Sequence, residues 1–321
     1  MAIKSSGRRA GGRAARSDRP AIALTDIGII AGLLVMTPLA WCLPRRWWPK
    51  LGAALSPAIS AYDDGGTGRA IAGNIERFTG ERPLPMPVDR IVARGRSGYF
   101  EEFLSVLRCY RPWDRTPRCV LEGGEHLKAA LEGGRGAVLW IGDFQFYSLV
   151  SKVALYQAGF PTVHLSHPTH GFSKTRFGIA VLNPIKKRAE DAYLNARASM
   201  AFDGPTAALR TLQRRLRKNG IVSLTARAEG QAPVSVRFLD GEIDLATGAP
   251  DVAFVGRAPL LPVHTVYLED GTFRVTVAPP IEADRSAGRR AFSEAAASAY
   301  ASSLEPVVLS HPHQWRAWFR M

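Results

Sequence analysis

The chain has 321 residues, 46% apolar and 22% charged, a globular balance that excludes disordered, collagen-like and disulfide-miniprotein classes. That length suits one large α/β domain with an appended segment, or two small domains. Forty-two Lys and Arg against 28 Asp and Glu leave a formal charge of +14, which favours an anionic partner such as nucleic acid, an acidic lipid surface or an acidic carrier protein.

Residues 1–20 carry Lys4, Arg8, Arg9, Arg13, Arg16 and Arg19 against the single acid Asp18. The rest of this stretch is mostly Gly, Ala and Ser, so a disordered basic tail is expected. Ile27 to Leu43 then runs without a charge. As a helix it would rise about 26 Å, at the short limit for a roughly 30 Å hydrocarbon core. Asp26 opens it, Pro38 interrupts it, and Arg45, Arg46, Trp47, Trp48 and Lys50 follow. Basic residues on both flanks and paired Trp at the polar end favour an anchor lodged in the headgroup boundary over residues 21–60. A secretory signal and a buried core helix are the alternatives. The signal reading lacks a clean cleavage site, and Trp41 before Cys42 fails a lipoprotein signal. Cys42, Cys109 and Cys119 are odd in number without metal-ligand spacing, so a reducing compartment is expected.

Prolines break the helical patches from Arg69 to Arg118. Beyond them, Glu125–Leu131 reads as a short helix ended by Gly133 and Gly134. Ala137–Ile141 (AVLWI) is a continuous apolar run, the pattern of a strand buried on both faces. A helix over Gln145–Ala158 and a strand over Phe160–Leu165 complete a predicted βαβ unit. Thr206–Asn219 is an amphipathic helix with Leu209, Leu212 and Leu216 on one stripe. Its basic face includes Arg214 and Arg215, candidates for contact with anionic lipid or carrier, with a solvated face as the plain alternative. Strands are predicted at Ile221–Thr225, Val234–Phe238, Leu260–Tyr267 and Phe273–Ala278, then a helix over Gly288–Ser303. No repeat, zinc spacing, P-loop, dinucleotide glycine motif or G-x-S-x-G is present. Without a recognition motif or basic–aromatic interleaving, nucleic acid is not an expected partner.

From about Ala21 to the carboxy terminus the residues resemble the late acyltransferases of lipid A biosynthesis, the lauroyl/myristoyl type within the lysophospholipid acyltransferase superfamily. The features that carry the resemblance are the apolar amino-terminal segment, Ala137–Ser148, Val234–Phe238 with Asp240-Gly241, and Thr247–Pro250 leading into Asp251–Phe254. Pro259–Val263 and the tail Leu304-Glu305-Pro306 through His311-Pro312-His313-Gln314-Trp315-Arg316-Ala317-Trp318 complete it. The resemblance implies an α/β fold over residues 61–321. It comprises a central mixed, mostly parallel sheet flanked by helices, preceded by a membrane-associated helix. It further implies an enzyme on the cytoplasmic face of the inner membrane that moves an acyl chain from an acyl-carrier or coenzyme A thioester to a lipid hydroxyl. No other cofactor and no metal are implied.

The family's chemistry rests on a His and a carboxylate in H-x4-D/E, the His deprotonating the hydroxyl and the acid orienting the imidazole. Here the stretch reads Asp143-Phe144-Gln145-Phe146-Tyr147-Ser148, so Asp143 stands in the His place and Ser148 in the acid place. Phe144 and Tyr147 match the family's aromatics and are candidate substrate contacts. The family's later Asp-Gln reads Ala226-Arg227 here, and its basic residue after the second strand is matched by Arg176. Asp is a weaker base than His, with reference pKa values near 3.9 and 6.5, which should cost about ten- to thirtyfold. A cross-strand pair of His167 or His170 with Asp143 would rebuild the dyad, if the second strand's carboxyl end lies beside the first. Plain loop histidines before Gly171 are the alternative. Two functions follow: an O-acyltransferase with an altered dyad, or an inactive homologue serving as a lipid-binding or complex-forming subunit.

Overall fold

The computed structural model describes residues 19–60, 68–113, 116–167, 169–200, 204–226 and 233–321. Most of the basic tail and Arg227 lie outside the described residues. A seven-stranded sheet is flanked by helices. Its strands are β1 (Cys119–Glu122), β2 (Ala137–Ile141), β3 (Thr162–Ser166), β4 (Ala196–Ser199), β5 (Ile221–Thr225), β8 (Leu260–Tyr267) and β9 (Phe273–Val277), in the order β1-β9-β8-β2-β5-β3-β4. β8, β2, β5, β3 and β4 are parallel, and β9, with β1 parallel to it, runs the other way. β6 (Pro233–Phe238) and β7 (Gly241–Ala246) form a separate antiparallel hairpin. The fold is the mixed, mostly parallel α/β architecture expected from the sequence.

β2 shows how the sequence sets the layers. All five of its residues are buried. Alternation sends Val138 and Trp140 to one face and Leu139 and Ile141 to the other. The first face packs on α3 (Gly68–Thr79), α8 (Gly204–Arg217), α9 (Gly248–Gly256) and α10 (Arg289–Ser310); the second packs on α5 (Gly124–Glu132) and α6 (Tyr147–Gln157). Trp140 stacks on Tyr300 of α10 at 4.2 Å between ring centroids. α10 runs seven residues beyond its predicted end and carries Pro306 inside it.

One topological expectation is corrected. β3 does not lie beside β2, because β5 inserts between them and pairs in parallel with both. Two interstrand steps of about 4.8 Å therefore separate the ends of β2 and β3.

The apolar amino-terminal segment forms α1 (Leu24–Cys42), followed by a single 3₁₀ turn and α2 (Trp48–Ser60). α1 is long and apolar enough to cross a membrane, with a mean hydropathy of 1.7. It lies against α4 (Val88–Arg108), where Ala40 and Trp48 pack with Phe100, Leu104 and Leu107. Leu24, Ile27, Leu34 and Val35 are exposed. Asp26 is buried at its start and accepts hydrogen bonds from Ser173 Oγ at 2.5 Å and Thr175 Oγ1 at 2.7 Å. A polar pin thus ties α1 to the loop that follows β3.

Candidate active site

β2 delivers Gly142–Phe146 to the carboxyl edge of the parallel strands, the edge where an α/β sheet offers a site. The loop is fixed from both sides. Gly142 N donates to Val263 O at 2.7 Å, and Ala226 N to Ile141 O at 2.8 Å. Phe146 adopts a left-handed conformation with φ of +63°, strained for an aromatic residue, as it starts α6. Its ring is held between Tyr267 and Phe273.

The carboxy-terminal segment closes over this loop. Trp315 forms a β-bridge with Phe144, Gln145 N donates to Gln314 O at 2.8 Å, and Arg316 N donates to Asp143 O at 3.0 Å. α4 covers the other side. At Gly98 an added Cβ would stand 1.8 Å from Gln145 Oε1, so only glycine allows this approach. Gln145 in turn donates to the Gly95 carbonyl at 2.6 Å.

Asp143 is buried, and its Oδ2 accepts from the Arg320 guanidinium. Arg316 Nε lies 3.7 Å from Oδ1. Arg316 also donates to Glu102 Oε2 at 2.7 Å, and Lys186 to Glu102 Oε1 at 3.1 Å. Burial alone would raise the Glu102 pKa, but Arg316 and Lys186 overcome it and bring it down to about 2. The residue in the family's His place is therefore half of an ion-pair chain that fastens the carboxy terminus.

The expected pair between Asp143 and a loop histidine is not formed. His167 turns Nδ1 to Thr169 Oγ1 at 2.8 Å within its own loop. His170 places Nε2 at 2.8 and 3.0 Å from the two oxygens of Glu190. The reason is the insertion of β5, which moves the β3 loop away from β2 and towards α7 (Asn183–Asp191).

Glu190 on α7 has no exposed surface. It accepts from Ser148 Oγ at 3.1 Å, Lys152 Nζ at 2.7 Å and Arg197 of β4 at 2.8 Å, besides His170. Burial would raise its pKa; His170 and Lys152 instead hold it well below the usual carboxylate range. Burial lowers the Lys152 ammonium to about 8 against the pull of Glu190. Burial likewise pushes His170 below its ordinary value, again against Glu190. Burial thus favours the neutral imidazole beside the Glu190 carboxylate. The bond to Glu190 fixes the tautomer with the proton on Nε2 and leaves Nδ1 as a lone-pair acceptor. The imidazole retains 15% exposure although Glu190 has none. A neutral imidazole oriented by a carboxylate is the apparatus of a general base.

Other sequence candidates fall elsewhere. Phe144 is fully buried against His264, and Tyr147, the first residue of α6, packs in the core with Arg316 over its ring at 5.9 Å. Both side chains are buried. Arg176 is exposed, and its backbone N–H donates to Pro20 O at 3.0 Å. Arg214 and Arg215 sit in the last turn of α8, which leads through Gly220 into Ile221, the residue paired with Ala137 at the start of β2. They occupy the amino edge of the parallel strands, opposite Asp143. Glu102, Lys152, Lys186, Glu190, Arg197 and Arg320 were not sequence candidates. Lys152 had the clearest signal, a lone cation inside an otherwise uncharged helix, which demands a buried partner.

A sequence model of a family described as bacterial lipid A biosynthesis acyltransferase matches residues 15–321. No curated protein shows a matching sequence.

Proposed function

The chain belongs to the bacterial lipid A biosynthesis acyltransferase family, and from that membership we propose that it transfers a fatty acyl chain from an acyl thioester to a hydroxyl of a membrane lipid or lipid-linked sugar. The observation that carries this reading is the dyad of His170 and the buried Glu190, with Ser148, the residue at the family's acid position, bonded to the same carboxylate. His170 Nδ1 takes the hydroxyl proton as the oxygen attacks the thioester carbonyl. The carbon–sulfur bond breaks, and the imidazolium returns the proton to the leaving thiolate. Glu190 holds the ring and stabilises its transient charge. The thioester comes from acyl carrier protein or coenzyme A. The protein works at the cytoplasmic face of the inner membrane, seated by α1 on an anionic lipid surface.

A second reading is favoured by the clasp of Asp143 by Arg316 and Arg320, which leaves the family's base position engaged in holding the carboxy terminus. On that reading the chain is an inactive homologue that binds lipid or joins a complex. Lipid mass spectrometry of a deletion strain beside its parent separates the two. One missing acyl chain, restored by the natural gene and not by the His170→Ala form, supports transfer through the displaced dyad. An unchanged lipid profile supports the second reading.

A further inference from the structure

Where α1 ends, a cleft of about 320 Å³ opens between residues 44–46 and the β8–β9 turn. Arg45, Arg46, Arg108 and Arg118 converge on it from three parts of the chain, against the acids Glu269 and Asp270. Asp270 is already engaged, since its oxygens accept from Thr272 N at 2.8 Å and Thr272 Oγ1 at 3.1 Å. Arg45 and Arg108 lie 5.4 and 5.5 Å from the same Trp48 ring, which holds two like charges close together. Among the described residues, Arg45, Arg46 and Arg118 have no carboxylate in ion-pair contact. Burial, and then the Arg108 charge, press the Arg45 pKa below its ordinary value, as expected of a cation short of a counter-ion.

The surroundings indicate the anion. The cleft adjoins the end of the helix whose Leu24, Ile27, Leu34 and Val35 face outwards, and Trp47 beside it is 46% exposed. Tryptophan at the end of an apolar helix marks the headgroup layer. Guanidinium groups match phosphate oxygens in paired hydrogen bonds. We propose that this cleft binds the phosphate of an anionic phospholipid headgroup. Arg45 also lies 5.5 Å over Phe273, whose ring packs 5.1 Å from Phe146. A headgroup held there sits one aromatic layer from the loop that ends β2. The assignment holds whether or not the protein transfers acyl chains.

The test uses the full-length protein and vesicles of phosphatidylcholine with or without phosphatidylglycerol. Each arginine near an anionic surface is worth about fivefold in binding, so Arg45→Gln with Arg46→Gln should weaken binding to phosphatidylglycerol vesicles roughly thirtyfold. Binding to phosphatidylcholine alone should not change, and Arg214→Gln with Arg215→Gln should leave both unchanged. Arg118→Gln, on a different segment, gives an independent arm with about a fivefold loss. Undiminished phosphatidylglycerol binding in both arginine variants would overturn the proposal, as would a loss confined to the α8 pair. Coenzyme A, titrated without vesicles, probes soluble phosphoesters. If only its binding falls in the Arg45/Arg46 variant, the cleft serves a soluble ligand and the lipid assignment fails.

Discussion

Ser148 donates its hydroxyl to Glu190 across 3.1 Å, so the residue at the family's acid position meets, at one buried point, a carboxylate brought in by α7. On the proposed function, the acid absent from that position of α6 is supplied in space by this different helix, and the imidazole is His170 of the β3 loop. Asp143 instead meets Arg316 and Arg320 of the carboxy-terminal segment.

If this displaced dyad works, His170→Ala should lower kcat/KM for acyl transfer by about 10²- to 10⁴-fold. The natural enzyme should keep its activity through neutral pH. A base must be unprotonated, and burial holds the His170 pKa below its ordinary 6.5, so the acid limb should fall below that value. Asp143→Asn should leave that limb in place while loosening the carboxy terminus. An acid limb that moves in Asp143→Asn and persists in His170→Ala would reverse the assignment.

The Glu102 ion-pair chain should make the fold acid-sensitive. With a pKa of about 2 in the folded protein against 4.5 ordinarily, the carboxylate contributes on the order of 3 kcal/mol. A depressed pKa gives stability that is fully present above pH 4.5 and is lost as pH falls towards 2. Denaturant titrations in detergent across that window should show the loss, and Glu102→Gln should flatten the slope. An equal slope in both proteins would remove Glu102 from the account.

Much of the sheet was legible because continuous apolar runs such as Ala137–Ile141 have few other uses. The spans of β2, β5 and β8 match their predicted ends, whereas the short edge strands β1 and β4 carried no clear apolar run. Strand order was not legible. Nothing local in Ile221–Thr225 says that it inserts between β2 and β3, and that insertion decided which acid His170 meets. The site was legible only as a departure: Asp143 and Ser148 marked the place, but Glu190 lies in a polar stretch, Lys186 to Asp191, that reads as a solvated face. Burial there depends on α7 packing over α6, a tertiary fact without a sequence period.

The exposed side of α1 offers a membrane test that spares the fold. Removing the helix would uncover Phe100, Leu104 and Leu107, so loss of the membrane and loss of the core would be confused. Leu34 is 72% exposed and Val35 57%, and Lys at both positions leaves the α4 contacts in place. Each cation costs about 2.5–3.5 kcal/mol at the centre of a spanning helix, and less for one lying at the interface. The double variant should move from the membrane to the soluble fraction with an unchanged circular dichroism spectrum. Retention on the membrane at natural levels would assign attachment to another surface.

The sharing of one carboxylate site by positions 148 and 190 can be measured as a coupling. Glu190→Ser alone leaves the buried Lys152 without its ion-pair partner, while Arg197 keeps Asp191 at 2.6 Å, a loss of about 3–5 kcal/mol for breaking a buried pair. Ser148→Glu alone sets two carboxylates in contact where neither is hydrated, which raises the pKa of one and also destabilises. The exchange of both residues returns one carboxylate to the reach of Lys152, Arg197 and His170. The double variant should therefore be more stable than the two losses combined predict, by about 1–3 kcal/mol in a double-mutant cycle. It should also be more active than Glu190→Ser, because His170 regains an orienting acid. Strictly additive losses, with no recovery of activity, would mean that the carboxylate is needed in the geometry of α7 and that the two positions do not substitute for each other.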